Sequence, residues 1–139
     1  MFTRILFAHD GGMLAERVLV YLEHVARVEE AEVIVLHVYD PPERYSAADG
    51  YETLRAQYES VAGEIVDDAV AYLQERGVTA RGFAVVGDSA RVILETADQE
   101  DISLIVIGSR SPSSMAELML GSVSQEVLRH ASCPVLVVP

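Results

Sequence analysis

Short apolar runs alternate with amphipathic, helix-length stretches along this chain, and that alternation limits its fold more than any other feature. "RILFAHD" (Arg4–Asp10) is mostly apolar and is followed by Gly11-Gly12, so it reads as a buried strand and a turn. From Met13 to Val28, Leu14, Val18, Tyr21, Leu22 and Val25 recur at helical spacing, with Glu16, Arg17, Glu23 and Arg27 on the opposite side. "EVIVLHVYD" (Glu32–Asp40) is rich in β-branched residues and reads as a second buried strand stopped by Pro41-Pro42. A polar stretch to Gly50 reads as a loop. A long amphipathic pattern follows through Leu54, Tyr58, Val61, Ile65, Ala69, Tyr72 and Leu73 and stops at Gly77. "TARGFAVVG" (Thr79–Gly87) is the third strand. Asp88 or Ser89 can cap the helix carrying Val92, Ile93, Leu94 and Ala97. "SLIVIG" (Ser103–Gly108), a helix over Gly121–His130 and "PVLVV" (Pro134–Val138) complete the series.

Continuous apolar strands separated by helices predict a parallel sheet covered on both faces. Right-handed crossovers then give an α/β fold, a doubly wound five-stranded parallel sheet. Ligands of such sheets bind outside the carboxyl ends of the strands. Here those ends are Asp10, Val38–Asp40, Gly87 and Gly108.

The 139 residues suit one domain spanning 1–139, and the 50% hydrophobic content suits a packed core. No apolar run approaches the roughly 20 residues of a membrane span, and the N-terminal stretch reads as no signal peptide. A single cysteine, Cys133, excludes an internal disulfide and a Cys-based zinc site. These features predict a cytoplasmic protein. The formal net charge is -12, with 22 acidic residues against 10 basic ones, and every basic residue is arginine. Such a surface repels nucleic acid and anionic lipid, so neither nucleic acid nor a membrane is expected as partner. The acidic, lysine-free composition fits a salt-rich cytoplasm, and it fits Arg-favouring codon usage as well.

Several chemistries drop out. Without lysine there is no Walker A loop and no ordinary phosphoacceptor receiver site. "HDGGMLAE" does not supply G-x-G-x-x-G after the first strand, and no G-x-S-x-G elbow occurs. His9, His24, His37 and His130 show no metal-ligand spacing, and His9 and His37 read as packed residues within strands. Cys133 reads as a small buried apolar residue.

The loop after the fourth strand remains. Gly108 ends a buried strand and Gly121-Ser122 opens a helix. A helix N-terminus offers unpaired N–H groups to an anion, and glycine permits close backbone approach. Ser122 or Ser124 can add a hydroxyl and Arg110 a fixed cation. The same residues also fit a plain turn, with Ser122 as helix cap, and the residues alone leave both readings open.

"ILFAHDGG", "VLHVYD" and "LIVIGSR…LMLGSVSQEVLRHASCPVLVV" together resemble the universal stress protein family over essentially the whole chain. Nucleotide-binding members of that family carry Gly, two residues, Gly, nine residues, then Gly-Ser/Thr. Gly108, Gly121 and Ser122 stand at that spacing, Ser111 holds the middle position before Pro112, and Gly12 stands where serine is frequent. The resemblance implies an adenine nucleotide alpha hydrolase-like fold and a stress-response sensor or regulator that binds ATP or AMP. It implies Asp10 near the ribose or adenine, and the Val38 backbone facing the adenine. Gly108, Arg110, Ser111, Gly121, Ser122, Val123 and Ser124 would surround the ribose and phosphates. Mg2+ could accompany the phosphates beside Asp10. It further implies a homodimer through the strand Pro134–Val138. No dedicated catalytic residue is expected, and hydrolysis would be at most slow. The alternatives are a stress-related interaction protein that binds no nucleotide, and a slow ATPase.

Overall fold

In the computed structural model, which describes residues 1–109 and 120–139, the expected alternation of strands and helices is present. The strands are β1 (Arg4–Ala8), β2 (Glu32–Tyr39), β3 (Ala80–Val86), β4 (Leu104–Gly108) and β5 (Val135–Val138). The helices are α1 (Ala15–Glu29), α2 (Tyr51–Glu75), α3 (Ser89–Gln99) and α4 (Ser122–His130), with one 3-10 turn at Glu43–Tyr45. All strand pairings are parallel, and the order is β3-β2-β1-β4-β5. The chain therefore starts at the sheet centre, winds outward to β3, returns to β4 and ends on the far edge at β5. The direction of winding reverses at β1, which makes the β1–β4 boundary the topological switch point.

The central strands are apolar throughout because both their faces are covered. Ile5, Phe7, Val33, Val35, Leu104 and Val106 meet Val18, Leu19 and Leu22 of α1 and Val66, Ala69 and Leu73 of α2. Leu6, Ala8, Ile34, Leu36, Ile105 and Ile107 meet Val92, Ile93 and Ala97 of α3 and Val127 of α4. The side-chain alternation of a strand sorts the same five runs into these two cores.

Two expectations shift. β1 ends at Ala8, so His9 and Asp10 lie in the following turn rather than in the strand. The buried face of α1 is Ala15, Val18, Leu19, Leu22 and Ala26, while Leu14 and Tyr21 are exposed. α2 begins at Tyr51, directly after the expected loop to Gly50. Asp88 caps α3, as one reading of the sequence has it: its carboxylate accepts from the Arg91 N–H at 3.1 Å. No helix among the described residues is long and apolar enough to cross a membrane.

Candidate functional site

At the switch point the sheet is notched. β1 is paired only as far as Ala8, opposite Leu36 of β2 and Ile107 of β4. β2 runs on to Tyr39 and β4 to Gly108. Backbone groups on the overhang then lack the strand that would satisfy them. The Leu36 carbonyl accepts from His9 N–H at 2.8 Å, and the Tyr39 carbonyl accepts from Gly87 N–H at 3.0 Å. Alternate residues of β2 thus face β1 and β3 in turn, and Val38 faces the β1 side, past the end of β1. Its N–H and C=O have no hydrogen-bond partner among the described residues. Its side chain packs on the α3/α4 core.

Facing this overhang is the N-terminus of α4. Gly121 is the N-cap residue in extended conformation (φ -64°, ψ 157°), and no side chain caps the helix. The first intrahelical bond runs from Gln125 N–H to the Gly121 carbonyl at 3.0 Å, so the N–H groups of Ser122, Val123 and Ser124 have no helical acceptor. Two bonds fix this end against β4. Gly121 N–H donates to the Ser109 carbonyl at 2.9 Å, and the buried Ser124 hydroxyl donates to the Gly108 carbonyl at 2.8 Å. The contrast with α3 is chemical: the Asp88 carboxylate takes the Arg91 N–H of its first turn, whereas no side chain caps α4.

A cavity of about 210 Å³ lies between these features, with Ala8, His9, Asp10, Leu36, Val38, Ser89, Ile93, Ile107, Gly108, Gly121, Val123 and Ser124 on its walls. At its rim the Asp10 carboxylate accepts from Gly12 N–H at 2.7 Å. His9 Nδ1 accepts from Gly11 N–H at 2.9 Å, which puts the ring proton of neutral His9 on Nε2. Burial, reinforced by His37 and opposed by Asp10, holds His9 down to about 4, so the ring is neutral at neutral pH. A shallower depression of about 500 Å³ lies on the other face, between the end of β2 and the first half of α2, walled by residues such as Leu54, Tyr58, Val61 and Ile65. It is larger, but no helix N-terminus opens onto it. The smaller cavity has the directional groups a specific polar ligand needs.

Of the residues singled out in the sequence, Asp10, Val38, Gly108, Gly121, Val123 and Ser124 come together on the cavity. Ser122 instead faces a groove between α3 and α4, with Asp88, Arg91 and Glu126, and it is the first helical residue rather than the cap. Arg110 and Ser111 lie outside the described residues. Sequence reasoning missed His9, Ser89, Ile93, Leu36 and Ile107 as cavity residues. Strand alternation could have found Leu36 and Ile107, which share a face with Val38. Among the described residues no group of three or more His, Cys, Asp or Glu could hold a metal ion. Burial pushes the Cys133 thiol up, in keeping with its place against the α3/α4 core.

A model of the universal stress protein family matches residues 1–139. The universal stress protein YxiE of Bacillus subtilis is 33% identical over 147 residues, covering 99% of both chains. A universal stress protein of Thermus aquaticus is 33% identical over 139 residues, again covering 99% of both. Among solved structures, the MJ0577 protein superposes with a TM-score of 0.89 at 28% identity, covering 99% of this chain and 96% of that one. Methanocaldococcus jannaschii is its source. A universal stress protein in complex with cAMP superposes with a TM-score of 0.75 at 22% identity, covering 99% of this chain and 96% of that one.

Proposed function

The chain belongs to the universal stress protein family, and from that premise we propose that it binds an adenine nucleotide, ATP or AMP, as a stress-response sensor or regulator. One observation carries the reading: the open Val38 backbone and the open α4 N-terminus border the same cavity. Adenine offers an N6 amino donor beside the N1 acceptor. A carbonyl and an N–H on one strand residue are the complement of that pair. The α4 N–H groups and the positive end of its dipole suit phosphate oxygens. Gly108 and Gly121 let the backbone approach without a side chain in the way. We assign Arg110 and Ser111 to the phosphate side, where a fixed cation would offset the acidic surface. Mg2+ needs only one or two carboxylates when phosphates supply other ligands, and Asp10 can serve as the one. The cAMP-bound neighbour, at 22% identity, supports the fold alone, and the ligand reading rests on the residues of this chain.

Binding is favoured over turnover. His9 Nδ1, the one ring nitrogen at the cavity able to accept a proton, is already taken by Gly11 N–H. We place the protein in the cytoplasm, on the strength of its lone, half-buried cysteine. We also propose a homodimer through β5, one of the two edge strands of the sheet.

The test is nucleotide content and affinity. Purified protein analysed by mass spectrometry after denaturation should release ATP or AMP, or else bind them with a saturable thermal shift. Gly121→Val should abolish both while leaving the far-UV spectrum unchanged, because φ -64° is open to valine but its side chain would stand over the phosphates. Protein that is empty and shows no shift with millimolar ATP or AMP would sink the proposal.

A further inference from the structure

His9 lines the cavity and His37 lines the shallower depression beside α2, and neither matches a metal or acid–base pattern. Their hydrogen bonds give them another use. If the β1–β2 ladder continued past Leu36, its next two bonds would join Val38 to the turn after β1. Val38 N–H would donate to the His9 carbonyl, and the Val38 carbonyl would accept from Gly11 N–H. Both turn groups are already engaged. His37 Nδ1 lies 2.8 Å from the His9 carbonyl, and since a carbonyl only accepts, this nitrogen carries the proton. Gly11 N–H donates to His9 Nδ1 at 2.9 Å.

The rings are held in place for this. The His9 ring packs tilted on Phe7 at 5.1 Å between centroids, and meets His37 edge-on at 6.1 Å. Gly11 adopts φ +78°, which turns its N–H back to His9, and a Cβ there would come within 3.2 Å of His37 Cε1. Side chains of β1's turn and of β2 thus cross over and replace two backbone bonds.

We infer that His9 and His37 are positioning residues that intercept the β1–β2 ladder and so keep the Val38 N–H and C=O open to the base of a bound nucleotide. Neither ring needs to touch the ligand. The inference rests on the adenine-nucleotide reading for its functional consequence, but its structural half can be measured without ligand. Through Val38 it makes the histidine pair determinants of base selectivity. A base with the reverse pattern at positions 1 and 6, such as hypoxanthine, would meet donor with donor and acceptor with acceptor.

The experiment uses the full chain with His37→Ala and His37→Asn. The Asn amide nitrogen can reach the place of Nδ1 and donate to the His9 carbonyl, whereas alanine cannot. Backbone amide exchange by NMR without ligand should show Val38 exchanging rapidly in the parent and in His37→Asn. In His37→Ala it should slow at least tenfold, as Val38 N–H closes onto the freed carbonyl. Titration with AMP and IMP should show a preference for AMP in the parent. His37→Ala should lose about tenfold in AMP affinity, the worth of one hydrogen bond, with IMP affinity unchanged, and His37→Asn should restore it. Equal loss for AMP and IMP, or no rescue by asparagine, would overturn the inference. If the parent binds neither nucleotide, the nucleotide reading fails, and the exchange data still decide: slowed Val38 exchange in His37→Ala upholds the positioning role, and unchanged exchange overturns it.

Discussion

Two side chains at the cavity carry consequences that can be measured singly. Ser124 is the buried polar residue among those described, and its hydroxyl proton goes to the Gly108 carbonyl, tying the first turn of α4 to the end of β4. Ser124→Ala should cost about 1 kcal/mol in urea unfolding, the usual net worth of such a bond, and should weaken nucleotide binding by loosening the α4 terminus. His9 gives a pH signature. Its value in the folded state is about 4 against an ordinary 6.5, chiefly through burial. Between those limits the unfolded chain binds a proton that the folded chain refuses. This residue therefore contributes little pH dependence well above 6.5, and stability falls as pH drops through 6.5 towards 4. His9→Asn keeps an acceptor for Gly11 N–H and does not titrate there. Urea midpoints at about pH 7 and about pH 4.5 should differ less for this variant than for the parent. An identical difference would show that His9 is already free to protonate.

The elements explain what the sequence does and does not reveal. The strands are legible because a parallel sheet covered on both faces demands continuous apolar runs, and "LIVIG" and "EVIVLHV" allow little else. The rotation of α1 is not, because Val20, Tyr21 and Val28 extend the apolar stripe past the buried face, and the small Ala15 and Ala26 lie within that face. The first half of α2 follows similar logic. At 1.5 Å per residue its 25 residues reach about 37 Å, well past the roughly 26 Å of the longest strand, so Tyr58 and Val61 project beyond the sheet and stay exposed. Gly108, Gly121 and Val38 can be read from sequence because they sit at strand and helix ends. The role of His37 cannot, because it depends on where β1 stops, and strand ends are set by the turn rather than by the apolar pattern. Packing of α2 on β3 also yields a paired prediction. A Cβ at Gly82 would run into the Val66 side chain and lie 2.9 Å from the Val35 carbonyl, so Gly82→Ala should destabilise by about 1–3 kcal/mol. Gly63, within α2, has open space around it, so Gly63→Ala should stabilise by about 0.5–1 kcal/mol. The two variants compared in one urea series should move in opposite directions.

At the scale of the whole molecule, charge and the sheet edge matter most. A net charge of -12 on 139 residues means mutual repulsion in the compact state. The melting temperature should rise as salt goes from about 0.05 M to about 1 M, where the screening length falls to a few ångströms. Arginine forks offset part of this at the amino edge, where Arg81 holds Glu32 and Glu100 at 2.9 Å each. At the β5 edge, the carbonyls of Pro134 and Val138 accept from β4, so Val135 and Val137 turn their N–H and C=O outward. The proposed dimer would use those groups. Sedimentation should give a dimer for the parent and a monomer for Val137→Pro, which removes an outward donor without breaking the sheet. The proposed adenine-nucleotide site at the switch point is most directly tested by titrating amide-labelled protein with AMP and following backbone NMR shifts. Saturable shifts should centre on Val38, Gly108 and Ser122–Ser124, with the largest at the Val38 amide. Saturation with shifts confined to Leu54, Tyr58 and Val61 beside α2, or no shifts at millimolar AMP, would contradict it.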